Sequence, residues 1–406
     1  MKKKIAIIGS TGSIGRTTFE IAKENKKNLK IVLLSTHKNI NLVQKQSKLL
    51  NVKNIIVTSR PHYLKLIKKN KNKAIKVFYN FDQLNKIFKK KIDYVMSSIS
   101  GIDGLNPTLK IIKFTKNIAI ANKESIICGW NLINKNLKKN NTKLIPVDSE
   151  HFSIWSLMEN SNKNIVDEII ITASGGPFLN KPLYYLKKAK PHSALKHPNW
   201  PMGKKISIDS ATMMNKVFEI IEAKKIFNIN QKKIKILIHP SSYLHAIIKF
   251  KNGLTKLLIH ETKMKVPIFN SIYLNKKAIP EKKRLNITNL NNLNLSEPNI
   301  KKFPVLKILN TIPKKDTLYE TVLISINDEL VKNYLEKKIY FTDISKYILK
   351  LMNYKDFKKY SKIIPKNVNQ ITTISKLVRL KTKELCIKWF YNEKIFFYFV
   401  YIRCFN

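Results

Sequence analysis

KIAIIGSTGSIGRTTFEIAKEN, residues 4–25, decides the fold. Residues 4–8 form a short apolar run of the kind that fills a buried parallel strand. GSTGSIG (9–15) follows at once, and TTFEIAKEN then falls into helical periodicity. Glycines at 9, 12 and 15 let the backbone turn tightly and approach a pyrophosphate, whose charge is met by the N-terminus of the next helix. A glycine triplet alone is also compatible with a plain turn. Its position between a strand and a helix favours a dinucleotide.

Outward from this turn the alternation continues. IVLLS (31–35), NIIVTS (54–59), DYVMSSIS (93–100), NIAIA (117–121) and KLIPVD (143–148) read as strands, with helical stretches near 40–50, near 62–70 and at LNPTLKIIKF. Strands alternating with helices imply α/β architecture, here an N-terminal doubly wound, Rossmann-type sheet over residues 1–149. The texture then changes. EIIITASGGPFLNKP (168–182) is a strand entering a Gly/Pro loop, IDSATMMNKVFEIIEAKKIF (208–227) has a helix pattern, and KIKILIHP (233–240), LHAIIKF (244–250) and TKLLIH (255–260) are strands. Residues 150–275 therefore read as a second, α+β domain, 276–300 as a polar linker, and 301–406 as a C-terminal helical domain ending in the aromatic tail IFFYFVYI (395–402). That tail is too short to span a bilayer.

Composition narrows the function. Of 406 residues, 77 are Lys or Arg and 26 are Asp or Glu, a formal charge of +51. Lysine supplies nearly all of it, with Asn and Ile also heavily used. A sequence-specific nucleic-acid reader is expected to use arginine, so the charge reads as a solvated surface and no specific nucleic-acid partner is expected. A protein that simply binds polyanions is the rival reading. The 3 cysteines have no metal-ligand spacing. The N-terminal apolar run is too short for a signal peptide, no stretch spans a membrane, and the chain is expected in the cytoplasm.

The end of the second strand reads Ser35-Thr36-His37-Lys38-Asn39, without the acid that usually holds the ribose hydroxyls of NAD. A cationic, hydroxyl-rich end suits the extra phosphate of NADP, with Lys38 as its cation. Asp148-Ser149-Glu150-His151 follows the strand KLIPV, and Asp148 and Glu150, two residues apart on an extended end, point the same way. Paired carboxylates repel unless a cation joins them, and hard oxygens suit Mg²⁺ or Mn²⁺. Taken alone, the same residues also read as a surface turn, and His151 as packing. In the helix pattern after Asp209, Ser210, Asn215 and Lys216 offer hydroxyl, amide and ammonium donors suited to a phosphate. Glu219 lies one turn on and can reach the same cation. Residues 174–203 carry little periodicity and read as a mobile loop, with Trp200 a cover for a ligand.

GSTGSIG (9–15), GLNPTLKII (104–112), ANKES (121–125), PVDSEH (146–151), SGGPF (174–178), KHPNWPMGKKIS (196–207), DSATMMNK (209–216) with Glu219, and IHPSSYLH (238–245), in that order, resemble the 1-deoxy-D-xylulose 5-phosphate reductoisomerase family. PVLKIL (304–309) and FTDI (341–344) extend the match weakly into the helical region. The resemblance implies a homodimer that uses NADPH and Mg²⁺ or Mn²⁺. It converts a phosphorylated sugar, 1-deoxy-D-xylulose 5-phosphate, to 2-C-methyl-D-erythritol 4-phosphate in the non-mevalonate isoprenoid pathway. It implies NADPH contacts at Thr11, Gly12, Ser13, Ile14, Lys38, Asn39, Asn122, Glu124 and Gly203. Metal ligands are implied at Asp148, Glu150 and Glu219, which with Lys123 form the catalytic set. Substrate contacts are implied at Lys123, Ser149, Glu150, Ser174, His197, Ser210, Asn215, Lys216 and Glu219. The sequence departs from the family pattern at His37, where a Gly is usual, at Pro201, at Thr262-Lys263-Met264-Lys265, and over the last 25 residues. Another NADP-dependent metal dehydrogenase is the nearest alternative, but it leaves the Ser210, Asn215 and Lys216 donors without a role.

Overall fold

Seven strands, all parallel, form the first sheet of the computed structural model: β1 (Lys3–Ile8), β2 (Leu29–Thr36), β3 (Asn54–Val57), β4 (Lys76–Tyr79), β5 (Ile92–Ser97), β6 (Thr115–Ile120) and β7 (Lys143–Ile145). Their order is β4-β3-β2-β1-β5-β6-β7. The structure describes residues 1–70, 74–159, 161, 163–199, 203–279 and 286–403. Trp200 and Pro201, singled out in the sequence, lie outside these.

The strand order reverses direction at β1, which pairs with both β2 and β5. In doubly wound sheets ligands bind at such a switch point, beyond the carboxyl ends of the strands. The glycine turn stands at that end of β1, between Ile8 and the helix Ser13–Glu24. The strands are apolar because both faces are covered: Ile5, Ile7, Leu34, Ile55, Tyr94, Met96 and Ala119 are buried in one core, and the alternate residues Ala6, Ile8, Leu33, Ile56, Val95 and Ile118 are buried as well. The helix Lys265–Tyr273 completes that core with Ile268, Phe269 and Ile272. Lys76–Tyr79 is a strand that periodicity did not mark. It lies at the sheet edge, and none of its four residues is fully buried.

A second, four-stranded sheet has the order β11-β10-β8-β9, built from β8 (Val166–Ala173), β9 (Ile234–Ile238), β10 (Leu244–Phe250) and β11 (Thr255–Ile259). β10 runs antiparallel to both β8 and β11.

The chain divides into two compact units. The first holds Met1–Ile171, Glu222–Lys235 and Tyr243–Leu293; the second holds Thr172–Ile221, Ile236–Ser242 and Asn294–Asn406. In the second, the helices Tyr319–Leu335, Phe341–Met352 and Val368–Arg403 make up the helical C-terminal region. The region expected to be a plain linker contains a short helix, Ile287–Asn291, and Ser296 bridges to Ile238. Two short helices, Leu183–Lys187 and Pro191–Ala194, interrupt the stretch expected to be an irregular loop. The helix pattern at 208–227 is two helices, Lys204–Thr212 and Met214–Phe227, because Met213 adopts a left-handed conformation with φ +67°.

Candidate active site

In the first unit, Gly9 turns the chain at φ +80°, and a Cβ there would stand 2.9 Å from the Ser98 carbonyl oxygen. A side chain at Gly15 would overlap the Gly9 carbonyl. The close approach of these backbones therefore requires glycine. Gly12 caps the helix Ser13–Glu24 and, as a glycine, brings no side-chain cap to its first turn. Thr11 is tied to the end of β2 by a 2.9 Å hydroxyl contact with Thr36. Gly12 and Ser13 are exposed, and Ile14 is half-buried. This arrangement suits an anion at the helix N-terminus.

At the end of β2, His37, Lys38 and Asn39 are all exposed. Asn39 accepts a hydrogen bond from the Leu42 N–H at 3.1 Å and so caps the next helix. His37 lies 2.9 Å from the Thr58 hydroxyl. Asn122 is 3% exposed, and its side chain is committed inside the fold. Its oxygen accepts from Ser125 N–H at 3.0 Å, and its amide donates to the carbonyls of Gly101, at 2.6 Å, and Ile99. It shapes the turn after β5 and caps the helix Lys123–Lys139. Glu124 sits half-buried in the first turn of that helix.

Lys123, at the start of the same helix, places its ammonium 3.0 Å from Asp148. Asp148 caps the helix Ser149–Leu157. Burial alone would raise its carboxyl, but the Lys123 ammonium and the His151 ring hold it far below the usual carboxylate range. Ser149 donates to Glu150 at 2.6 Å. Two further residues join this cluster. His151 is fully buried, with Nδ1 3.6 Å from both Asp148 and Glu222. Asp148, His151 and Glu222 all present ligand-type atoms within 4.8 Å of one another. The sequence reading took His151 as a residue that supports the acids or packs, rather than as a ligand, and overlooked Glu222. Its signal was available, since Glu222 follows Glu219 by three residues and shares its helix face.

In the second unit, Ser174 and His197 meet at 3.0 Å, although 23 residues separate them. Lys216 is 5% exposed and donates to the Thr172 carbonyl at 2.7 Å. It also pairs with Glu219 at 2.5 Å, and Asn215 donates to the same carboxylate. Glu219 is 1% exposed. The donors expected for phosphate and an acid expected for metal thus form one cluster at the start of the helix Met214–Phe227. Ser210 lies half-buried on the preceding helix. Gly203 caps that helix at its start. Gly176, at φ +68°, lies so close to it that a Cβ would be 3.0 Å from the Ser210 carbonyl oxygen.

Family models match most of the chain. Residues 5–129 match 1-deoxy-D-xylulose 5-phosphate reductoisomerase, 144–227 its C-terminal domain, and 260–381 the DXP reductoisomerase C-terminal domain. A curated relative of that name from Pelagibacter ubique is 57% identical over 387 residues, covering 95% of this chain and 100% of the relative. The chain belongs to the 1-deoxy-D-xylulose 5-phosphate reductoisomerase family. A second member, from a Wolbachia of Drosophila simulans, is 38% identical over 89% of this chain and 94% of its own. Among solved structures, the family member from Zymomonas mobilis in complex with NADPH has a TM-score of 0.86 at 30% identity, covering 95% of this chain and 99% of its own. Another, in complex with NADPH, fosmidomycin and magnesium, has a TM-score of 0.87 at 28% identity and covers 95% and 98%. Among the described residues, no helix is long and apolar enough to cross a membrane.

Proposed function

We propose that this chain converts 1-deoxy-D-xylulose 5-phosphate to 2-C-methyl-D-erythritol 4-phosphate, using NADPH and a divalent cation. The observation that carries the reading is the pairing of lysines with the acids: Lys123 on Asp148 and Lys216 on Glu219, in a chain of this family. The donor set fits a metal. Asp148 stays ionised because of its neighbours, and carboxylates suit Mg²⁺ or Mn²⁺. Asp148, Glu150 and Glu219 would hold it.

When bound, the cation supplies Lewis-acid polarisation of the substrate's carbonyl, and NADPH supplies the hydride that reduces the rearranged aldehyde. The protein's part is to bind, orient and neutralise. Ser174, Ser210, Asn215 and Lys216 hold the phosphate through hydrogen bonds, with His197 acting through Ser174, and Lys123, Ser149 and Glu150 meet the rest of the substrate. The Lys123 ammonium stabilises negative charge developing on the substrate's oxygens. Thr11, Gly12, Ser13 and Ile14 would hold the cofactor's phosphates, and Lys38 and Asn39 would receive the extra phosphate of NADPH. Asn122, Glu124 and Gly203 complete that site, Asn122 by setting the backbone rather than through its committed side chain. Residues 174–203 close over the substrate; slower proteolytic cutting between 180 and 200 in the presence of NADPH and a phosphonate mimic checks this. The same reading takes the protein as a cytoplasmic homodimer.

The deciding experiment follows NADPH absorbance on adding deoxyxylulose phosphate, with and without EDTA. Consumption that EDTA abolishes and Mg²⁺ or Mn²⁺ restores is the expected result. Consumption indifferent to EDTA removes the metal from the reading, and no consumption removes the reaction.

A further inference from the structure

The polarity of hydrogen bonds around His197 follows from geometry alone. The backbone N–H of Asn199 lies 3.2 Å from His197 Nδ1. A backbone N–H can only donate, so Nδ1 presents a lone pair and the ring proton resides on Nε2. Nε2 faces the Ser174 hydroxyl at 3.0 Å and must therefore donate to it. The Gly176 N–H donates to the same oxygen at 3.1 Å. Both acceptor positions of Ser174 Oγ are then filled, and its own O–H is left to donate.

Asn199 is itself fixed. Its side-chain amide donates to the Pro240 carbonyl at 2.6 Å and to the Ser242 hydroxyl at 2.9 Å, on the turn after β9. The amide and the backbone N–H of one residue thus do two tasks: the first anchors the segment, and the second sets the tautomer of His197.

We propose that Asn199 is a positioning residue for substrate phosphate, holding His197 as a neutral Nε2–H donor so that Ser174 turns its hydroxyl proton toward the anion. Burial and the nearby Lys216 charge lower the His197 pKa to about 4, in keeping with a neutral ring. The proposal deepens the substrate site given above and rests on that reading. In this arrangement Lys216 brings the positive charge, whereas His197 and Ser174 bring direction.

The test pairs spectroscopy with kinetics on the full chain. In protein labelled with ¹⁵N-histidine, assigned by comparison with His197→Gln, the His197 ring at neutral pH should show one bare nitrogen, Nδ1, and one protonated, Nε2. This needs no substrate, so it stands even if the reaction assigned above were wrong. In Asn199→Ala and Asn199→Asp, the KM for deoxyxylulose phosphate should rise roughly tenfold, the equivalent of one lost hydrogen bond, while the KM for NADPH holds. His197→Gln, whose amide nitrogen reaches the place of Nε2, should retain more activity than His197→Asn, whose shorter side chain places its amide near Nδ1. A doubly protonated ring at neutral pH, a bare Nε2, equal losses in Gln and Asn, or an unchanged substrate KM in both Asn199 variants would each overturn the proposal. Absence of turnover in the unaltered protein would instead overturn the reaction, leaving the ring spectrum to decide the tautomer.

Discussion

Lys38 stands exposed where β2 ends, with no acid beside it in Ser35-Thr36-His37-Lys38-Asn39. Reversing its charge should raise the KM for NADPH more than the KM for NADH, because Lys38→Glu sets an anion against the phosphate that distinguishes the two. Equal changes in both would assign the preference elsewhere. Glu219 is the other residue on which much turns, since Asn215 and Lys216 both lean on its buried carboxylate. Glu219→Gln removes a negative charge while leaving the Lys216 ammonium in place. Activity should fall at least about 100-fold, and the metal concentration for half-maximal rate should rise. A metal titration that superimposes on that of the unaltered protein would take Glu219 out of the ligand set.

Between residue and domain lies the junction of β8, the turn Ser174-Gly175-Gly176, and the helix Lys204–Thr212. Gly176 combines φ +68° with a Cβ position 2.9 Å from Ala211 Cα, a backbone atom that cannot swing aside. Gly176→Ala should cost roughly 1–3 kcal/mol of stability and displace Ser210, seen as a lower midpoint in denaturant and a higher substrate KM. An alanine variant with unaltered stability and KM would show that the turn relaxes freely.

These elements also show what a sequence discloses. β1, β2, β3, β5 and β6 are continuous apolar runs buried on both faces, so hydrophobicity announced them. Lys76–Tyr79 escaped because an edge strand that is only half-buried carries no such signal. The break at Met213 escaped for another reason: methionine has no preference for a left-handed conformation, and only the surrounding packing imposes it. At the site, Asp148, Glu150, Lys216 and Glu219 stood out through the motifs PVDSEH and DSATMMNK and their resemblance to the family, since residue type alone also fitted a surface turn at 148–151. Residue type could not tell that Asn122 spends its side chain on Ile99, Gly101 and Ser125, which depends on a turn 21 to 23 residues back in sequence.

On the scale of the molecule, the long C-terminal helix Val368–Arg403 is tied to the helix Tyr319–Leu335 by Arg379 on Asp328 and by a 2.8 Å contact between Ser325 and Ser375. Ile371, Val378 and Thr382 are fully buried along it. Asp328 also receives Lys205 at 3.3 Å, from the helix that carries Ser210. Ending the chain before Val368 should therefore abolish activity and lower the melting temperature. Ending it after Cys386, beyond the family match that stops at residue 381, should leave kcat within about twofold. Loss of activity in the longer truncation would assign the terminal stretch a role its composition does not announce.

The helix Lys265–Tyr273 carries a consequence for how the protein is made. It supplies Ile268, Phe269 and Ile272 to the core of a sheet whose last strand ends at Ile145. A ribosome adding roughly 5–20 residues per second reaches that helix on the order of ten seconds after finishing the sheet. Throughout that interval the nascent sheet lacks part of its cover, beside Tyr94 above all, whose hydroxyl meets Ser271 of that helix in the finished fold. Survival of the newborn chain then depends on chaperone capacity and translation speed, and a slow codon cluster between the codons for Ile145 and Lys265 would prolong its exposure.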